Sequence, residues 1–378
     1  MGSNIFAVQK PSERLASLDI LRGFDLFMLV FFQPVFVNLF NRWGENPVVG
    51  FLLRQFEHGD WIGFRPWDLV MPLFLFMVGA AMPFSFEKYK NDPNKSHIYK
   101  KIFRRFIILF ILGMVVQGNL LGLDPKQFRL YSNTLQSIAV GYLVSALFLL
   151  KLSNKNQFIA TAGLLAGYWA LLTFFGDFTP DGNFAEKVDK LVLGRFRDGV
   201  YFLEDGSWAF AENYHYTWIL SSMTFTVTVM LGVFAGKIMK NGTDKKKNSL
   251  YLLIWGVVLI AGGLLLSLQT PIIKKIWSSS MTLYAGGWSF LLMAFFYYLV
   301  DYKKKSTGLN WLKIYGMNSM VAYTLGMVIS FRSIANSLLY GLKQYAGDFF
   351  PVIITFANFL ILFFILKIMF KARIFIKI

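Results

Sequence analysis

The chain has 378 residues, 56% of them hydrophobic and only 16% charged, with 41 phenylalanines. Soluble globular domains carry about 25% charged residues, so this composition excludes an ordinary soluble domain. The formal net charge of +17 sits in short Lys/Arg-rich loops between apolar runs, which fits cytoplasmic membrane loops and argues against a nucleic-acid surface. There is no cysteine, which excludes disulfides, thiolate metal sites and a cysteine nucleophile. With His58, His97 and His215 as the only histidines, no histidine-rich metal site is expected.

Apolar runs near the roughly 20 residues that span a bilayer as helix recur along the whole chain. They are continuously apolar rather than alternating, so helices are expected, not barrel strands. The expected fold is all-α: one polytopic helical membrane domain over residues 1–378, with about ten transmembrane helices. Residues 10–14 precede a span that is long for a signal sequence and lacks a small-residue cleavage site, so no cleavable signal peptide is expected.

In chain order, the first span covers about residues 18–40. Asp19, Arg22 and Asp25 follow one another at three-residue spacing and share a helix face. Charges at that depth require partners or a wet cavity, so the triplet reads either as a structural ion pair or with Arg22 facing a phosphate-bearing ligand. The loop 41–66 carries His58, flanked by Asp60, Trp61, Gly63 and Arg65, and runs straight into a second span at 67–86. Asp68 falls in the first turn of that span, where a carboxylate suits the positive end of the helix dipole. Residues 87–105 carry Lys88, Lys90, Lys95, Lys100, Lys101, Arg104 and Arg105, the strongest inside signal in the chain. His97, within that stretch, reads as a solvated histidine.

The third span is expected at 106–123 and the fourth from Tyr131, with Ser132 as its N-cap. Asn133 and Gln136 share a face there, suited either to substrate or to helix–helix hydrogen bonds. A fifth span at 157–175 leads into the longest polar stretch, 176–216, which reads as an extracytoplasmic loop suited to acceptor recognition. His215, at its end, reads as structural. The sixth and seventh spans enclose a basic loop around Lys245-Lys246-Lys247. Lys274-Lys275-Ile276-Trp277-Ser278-Ser279-Ser280 opens the eighth, Trp311 the ninth, and residues 352–370 form the last.

The residues His58, Trp61, Gly63, Asp68-Leu69-Val70, Pro72, Phe74 and Gly79 resemble the signature of heparan-α-glucosaminide N-acetyltransferases and their bacterial relatives. So do Arg14-x-x-Ser17-Leu18-Asp19-x-x-Arg22-Gly23, Leu135-Gln136 with Ile138-Ala139, Lys274-Lys275-x-Trp277 with its serines, and Gly316-Met317-Asn318-Ser319. Five segments in matching order cover most of the chain.

The resemblance implies acyl transfer from acetyl-CoA to an amino or hydroxyl group, such as that of glucosamine, with no metal. It implies that His58 is catalytic; Asp68 or Asp60 could orient its ring, and Gln33 or Asn318 could donate to the carbonyl oxygen as charge develops there. Gln33 stands where the animal enzymes have an asparagine, which keeps the amide on a longer arm. Arg22, Asp19, Arg104 and Arg105 would meet the donor, and Trp61, Asn133, Gln136, Lys275, Trp277 and Ser279 the acceptor. The expected partners are the lipid bilayer, acetyl-CoA and a glycan, with a second copy of the chain left open. The expected location is the bacterial inner membrane, with both termini cytoplasmic and His58 outside. The alternative class is a secondary transporter with a charged intramembrane relay, against which no broken helices in repeated halves are found.

Overall fold

The structure, a computed structural model, describes residues 15–89 and 95–376. Residues 10–14, Lys90 and Lys377 lie outside the described residues. In chain order the helices are α1 (Ala16–Phe27), α2 (Gln33–Phe40), α3 (Pro47–Arg54), α4 (Val70–Phe86), α5 (Lys95–Val116), α6 (Thr134–Lys151), α7 (Asn154–Phe175) and α8 (Phe184–Leu193). After the hairpin β1 (Val200–Phe202) and β2 (Trp208–Phe210) come α9 (Ser222–Asn241), α10 (Lys245–Leu266), α11 (Ser279–Phe296), α12 (Asn310–Met317), α13 (Ser319–Val328), α14 (Phe331–Leu339), α15 (Lys343–Ala346) and α16 (Phe350–Lys371). A π-helical turn, Met28–Phe32, joins α1 to α2 without a break.

Local chemistry sets many of the starts. Asn46, Asn133, Ser153, Asn183 and Asp244 each accept a backbone N–H in the first turn of the helix that follows. The cap of α6 is therefore Asn133, where Ser132 was expected. Asn has the reach to accept from both Leu135 N at 3.0 Å and Gln136 N at 3.3 Å.

Among the described residues, eight helical stretches are long and apolar enough to cross a membrane, and the fold is that of an all-α polytopic membrane protein. Two of the ten expected spans are not among these. The third is the apolar end of α5, which begins among cations at Lys95 and ends at Val116. The ninth is interrupted at Asn318 into pieces of 8 and 10 residues, each shorter than the roughly 20 a crossing needs. The exposed apolar side chains of α10, among them Leu253, Trp255 and Val257, are placed as a hydrocarbon solvent requires.

The chain divides into two compact units. The first comprises Met1–His58, Arg65–Val70 and Phe295–Ile378. Its tightest contact is between α1 and α12, where a Cβ on Gly316 would lie 1.7 Å from the carbonyl oxygen of Asp19 and one on Gly23 1.8 Å from that of Leu312. Only glycine permits backbones that close. An aromatic cluster completes this unit, with the Tyr315 and Phe359 rings stacked at 5.2 Å and the Tyr315 hydroxyl donating to the Phe359 carbonyl at 2.9 Å.

The second unit comprises Gly59–Phe64 and Met71–Ala294. Here Gly79 of α4 lies against the Val229 carbonyl and Gly232 of α9 against that of Phe76, with the same consequence. The stretch 176–216, expected as a loop, contains α8 and the two-stranded hairpin, in which Val200 pairs with Phe210 and Phe202 with Trp208. A core of Tyr168, Leu172, Ala185, Ile273 and Ile276 lies beneath it, with Trp61 and Phe178 packed against that core.

Candidate functional site

Asp68 organises the histidine loop. The chain turns into α4 through Pro66, whose fixed φ suits a first helical position. One carboxylate oxygen of Asp68 accepts the Arg65 backbone N–H at 2.9 Å, and the other lies 2.9 Å from His58 Nδ1. Capping the helix start and orienting the histidine were alternative readings of this residue, and one carboxylate does both. Asp68 is fully buried, whereas 43% of the His58 side chain is exposed. An ionised carboxylate on Nδ1 fixes the tautomer that carries its proton there, so proton transfer falls to Nε2. Arg65 reinforces the turn, its guanidinium donating to the His58 carbonyl at 3.0 Å and lying 3.5 Å from Glu57.

Gln33 opens α2 just past the π-helical turn, and its amide reaches the Phe56 carbonyl at 3.5 Å, two residues before His58. Asn318 is occupied differently. Its amide donates to the Ile374 carbonyl at 3.1 Å and accepts from Ile376 N at 3.3 Å, holding the C-terminal tail. Asp19 and Arg22 form the ion pair that their spacing suggests, at 3.5 Å, with Asp19 buried. In the same helix Asp25 is also buried.

In the second unit, the Arg105 guanidinium lies 4.2 Å from the Tyr142 ring centre, while Arg104 is exposed. Asn133 and Gln136 are buried and fully engaged: Asn133 Nδ2 donates to the Gly113 carbonyl at 2.8 Å and to Gln136 Oε1 at 2.9 Å. That is the helix-joining reading of these two residues. Trp277 and Ser279 are buried as well, their polar atoms donating to Thr228 and to the Leu165 carbonyl. Trp277 holds a positive φ of 51° that leads the chain into α11. Lys275 is half-buried, and its carbonyl accepts the Thr217 N–H at 3.1 Å.

Trp61 is set firmly. Its indole N–H donates to the Phe178 carbonyl at 2.7 Å, and two residues on Gly63 N donates to the Ile272 carbonyl at 2.8 Å. The Phe64 ring meets Tyr284 edge-on. Trp61 also meets the His215 ring edge-on, with centroids 5.6 Å apart.

His215 belongs to a polar cluster that the sequence did not disclose. Its Nδ1 lies 2.9 Å from Glu186, whose carboxylate also meets Lys190 at 3.0 Å and the buried Arg197 at 3.2 Å. Burial alone would raise the Glu186 carboxyl, but hydrogen bonds from His215 and Lys190 and the Arg197 charge bring it below its ordinary value. Asp189, one turn on, accepts from Trp218 N at 2.7 Å and Ile219 N at 2.9 Å. Burial pushes its carboxyl up to about 7, against those two hydrogen bonds and Arg197. The readable signal was Asn183-x-x-Glu186, a capping-box spacing. Arg197 and His215, 11 and 29 residues beyond Glu186, leave no such local trace.

The site is thus a carboxylate-held histidine on a loop that runs into a long apolar helix. The family model described as heparan-alpha-glucosaminide N-acetyltransferase, catalytic, matches residues 14–181. The human heparan-alpha-glucosaminide N-acetyltransferase is 25% identical over 363 residues, covering 82% of this chain and 52% of the human protein. The mouse protein is 25% identical over 369 residues, covering 83% and 53%. The chain thus spans about half the length of these relatives.

Proposed function

We propose that this chain transfers an acetyl group from acetyl-CoA to an amino or hydroxyl group of a sugar such as glucosamine, with His58 as the group that handles the proton. The supporting observation is the His58–Asp68 pair, set on the segment that the catalytic family model matches. An acceptor amine or hydroxyl must lose a proton to attack a thioester. Neutral His58 takes that proton on Nε2, while Asp68 steadies the imidazolium that forms. The new bond joins the acceptor nitrogen or oxygen to the acetyl carbon, the carbon–sulfur bond breaks, and CoA leaves as its thiol once protonated. Gln33 is the nearby amide suited to the developing oxyanion. On the same reading Asn318 acts through the tail it holds.

The donor's phosphates call for guanidinium groups, which bind them in a planar, bidentate way. Arg22 is assigned that role at the cytoplasmic end of α1, with Asp19 orienting it, and Arg104 and Arg105 of α5 are the alternative. The basic loops are taken as cytoplasmic, with both termini inside and His58 outside. Trp61, rather than the buried Trp277, is the acceptor's aromatic surface. The test is transfer from acetyl-CoA to glucosamine by the full chain in lipid, with His58→Ala beside the wild type. A His58→Ala protein that still binds acetyl-CoA and transfers at the wild-type rate defeats the reading.

A further inference from the structure

His58 has a counterpart. His215 is likewise held through Nδ1 by a carboxylate at 2.9 Å, but it lies in the 176–216 region and against Trp61. Several observations converge on this place. The indole is locked by its bond to the Phe178 carbonyl, packs on the Tyr168–Ile276 core and is only partly buried. Glu186 is met by Lys190 and Arg197, so its charge is balanced locally. With an ionised carboxylate on Nδ1, the neutral His215 ring carries its proton there and presents Nε2 as an acceptor. Among the described residues nothing bonds Nε2, and the side chain is 12% exposed.

A rigid indole beside a fixed hydrogen-bond acceptor suits a ligand that is apolar on one face and studded with donors at its rim. A saccharide ring has that character: its C–H face packs on an aromatic, and its hydroxyl or amino hydrogens point outward. We propose that Trp61 and His215 form the ring subsite for the acceptor, with His215 Nε2 accepting a hydrogen bond from a hydroxyl or amino group of an amino sugar. This rests on the acetyltransferase reading for the identity of the acceptor, but not for the binding itself. Glu186 is the positioning residue that holds the imidazole, and Arg197 and Lys190 hold Glu186. His215 thereby sets which sugar binds at this subsite.

The test is a calorimetric titration of the full chain in lipid nanodiscs with methyl glucosaminide, and separately with acetyl-CoA. His215→Phe keeps the ring volume and removes the acceptor nitrogen. It is expected to weaken glucosaminide binding about tenfold, the worth of one good hydrogen bond, with acetyl-CoA affinity unchanged. His215→Gln, whose amide oxygen can accept, is expected to recover most of that loss, which a merely structural role would not show. Trp61→Ala should weaken glucosaminide at least as much. If His215→Phe does not fold, His215→Ser, too short to reach, carries the same measurement. Wild-type protein that does not bind glucosaminide, or a folded His215→Phe or His215→Ser that binds it normally, overturns the subsite. A His58→Ala protein that keeps full transfer while His215→Phe loses acceptor affinity would instead overturn the catalytic reading and leave the subsite standing.

Discussion

Two histidines in this protein are held in the same way and placed in different surroundings. His58 is 43% exposed, and its carboxylate is fully buried at a helix start, with the second oxygen on a backbone amide. His215 is 12% exposed, and its carboxylate meets two cations, one of them the buried Arg197. The first arrangement leaves Nε2 of an accessible ring open to a proton, beside a carboxylate that can stabilise the charged form. The second ties the ring into a balanced network suited to holding a shape. On the proposed roles, the same hydrogen bond serves two purposes, and the partner of the carboxylate decides which.

The comparison breaks most sharply at the histidines themselves. His58→Ala should lower the transfer rate about 10²–10⁴-fold with acetyl-CoA binding intact, whereas His215→Phe should raise the acceptor KM and leave kcat nearly unchanged. Steady-state kinetics with both substrates varied separates the two. Next come the carboxylates. Asp68→Asn presents an amide to Nδ1 and unsettles the tautomer, so a loss of about 10²-fold or more in kcat is expected. Glu186→Gln should alter kcat little. A large kcat loss in Glu186→Gln would erase the distinction.

Smaller effects sharpen it. Arg65→Ala removes the guanidinium from the His58 carbonyl and should cost kcat about threefold to tenfold, the net worth of one hydrogen bond. The smallest effect is a pH slope in stability. A carboxyl whose folded pKa lies above its unfolded value stabilises the fold in its protonated form. For Asp189 that stability is full below about 3.8 and is lost as pH rises through about 7. Glu186, shifted downward, acts in the opposite sense and at lower pH, its contribution being lost as pH falls below its ordinary value of 4.5. Between about pH 5 and 7 the melting temperature of the wild type should therefore fall, by a few degrees, relative to Asp189→Asn. Parallel melting curves for the two proteins would remove Asp189 from the pH response.

Much of the membrane architecture was legible because lipid imposes one rule, that backbone groups be satisfied within each segment, and long apolar runs announce it. The exceptions were places where a local feature outweighed mean hydropathy. α5 ends at Val116, short of the expected 123, and the ninth span is interrupted at Asn318, whose side chain bonds the C-terminal tail. The His58–Asp68 pair was legible because ten residues of loop and a helix start separate its members, within reach of local reasoning. The pairing of Glu186 with His215 was not, since a helix and a hairpin fold between them and no periodicity relates the two. In the Lys274–Ser280 segment the Ser278 hydroxyl bonds the backbone of the buried turn into α11 and the Ser279 hydroxyl the Leu165 carbonyl, a use that the order of the residues does not announce.

The π-helical turn at Met28–Phe32 gives α1 and α2 one residue more than a continuous α-helix of the same rise would use. That extra residue is absorbed within the wide turn, so the helix on either side keeps its rotational phase. A residue added or removed elsewhere in α1 or α2, where nothing absorbs it, would turn everything beyond it by about 100°. Gln33 would then point away from the Phe56 carbonyl, and Asn38 away from Thr355, although every side chain in both pairs is still present.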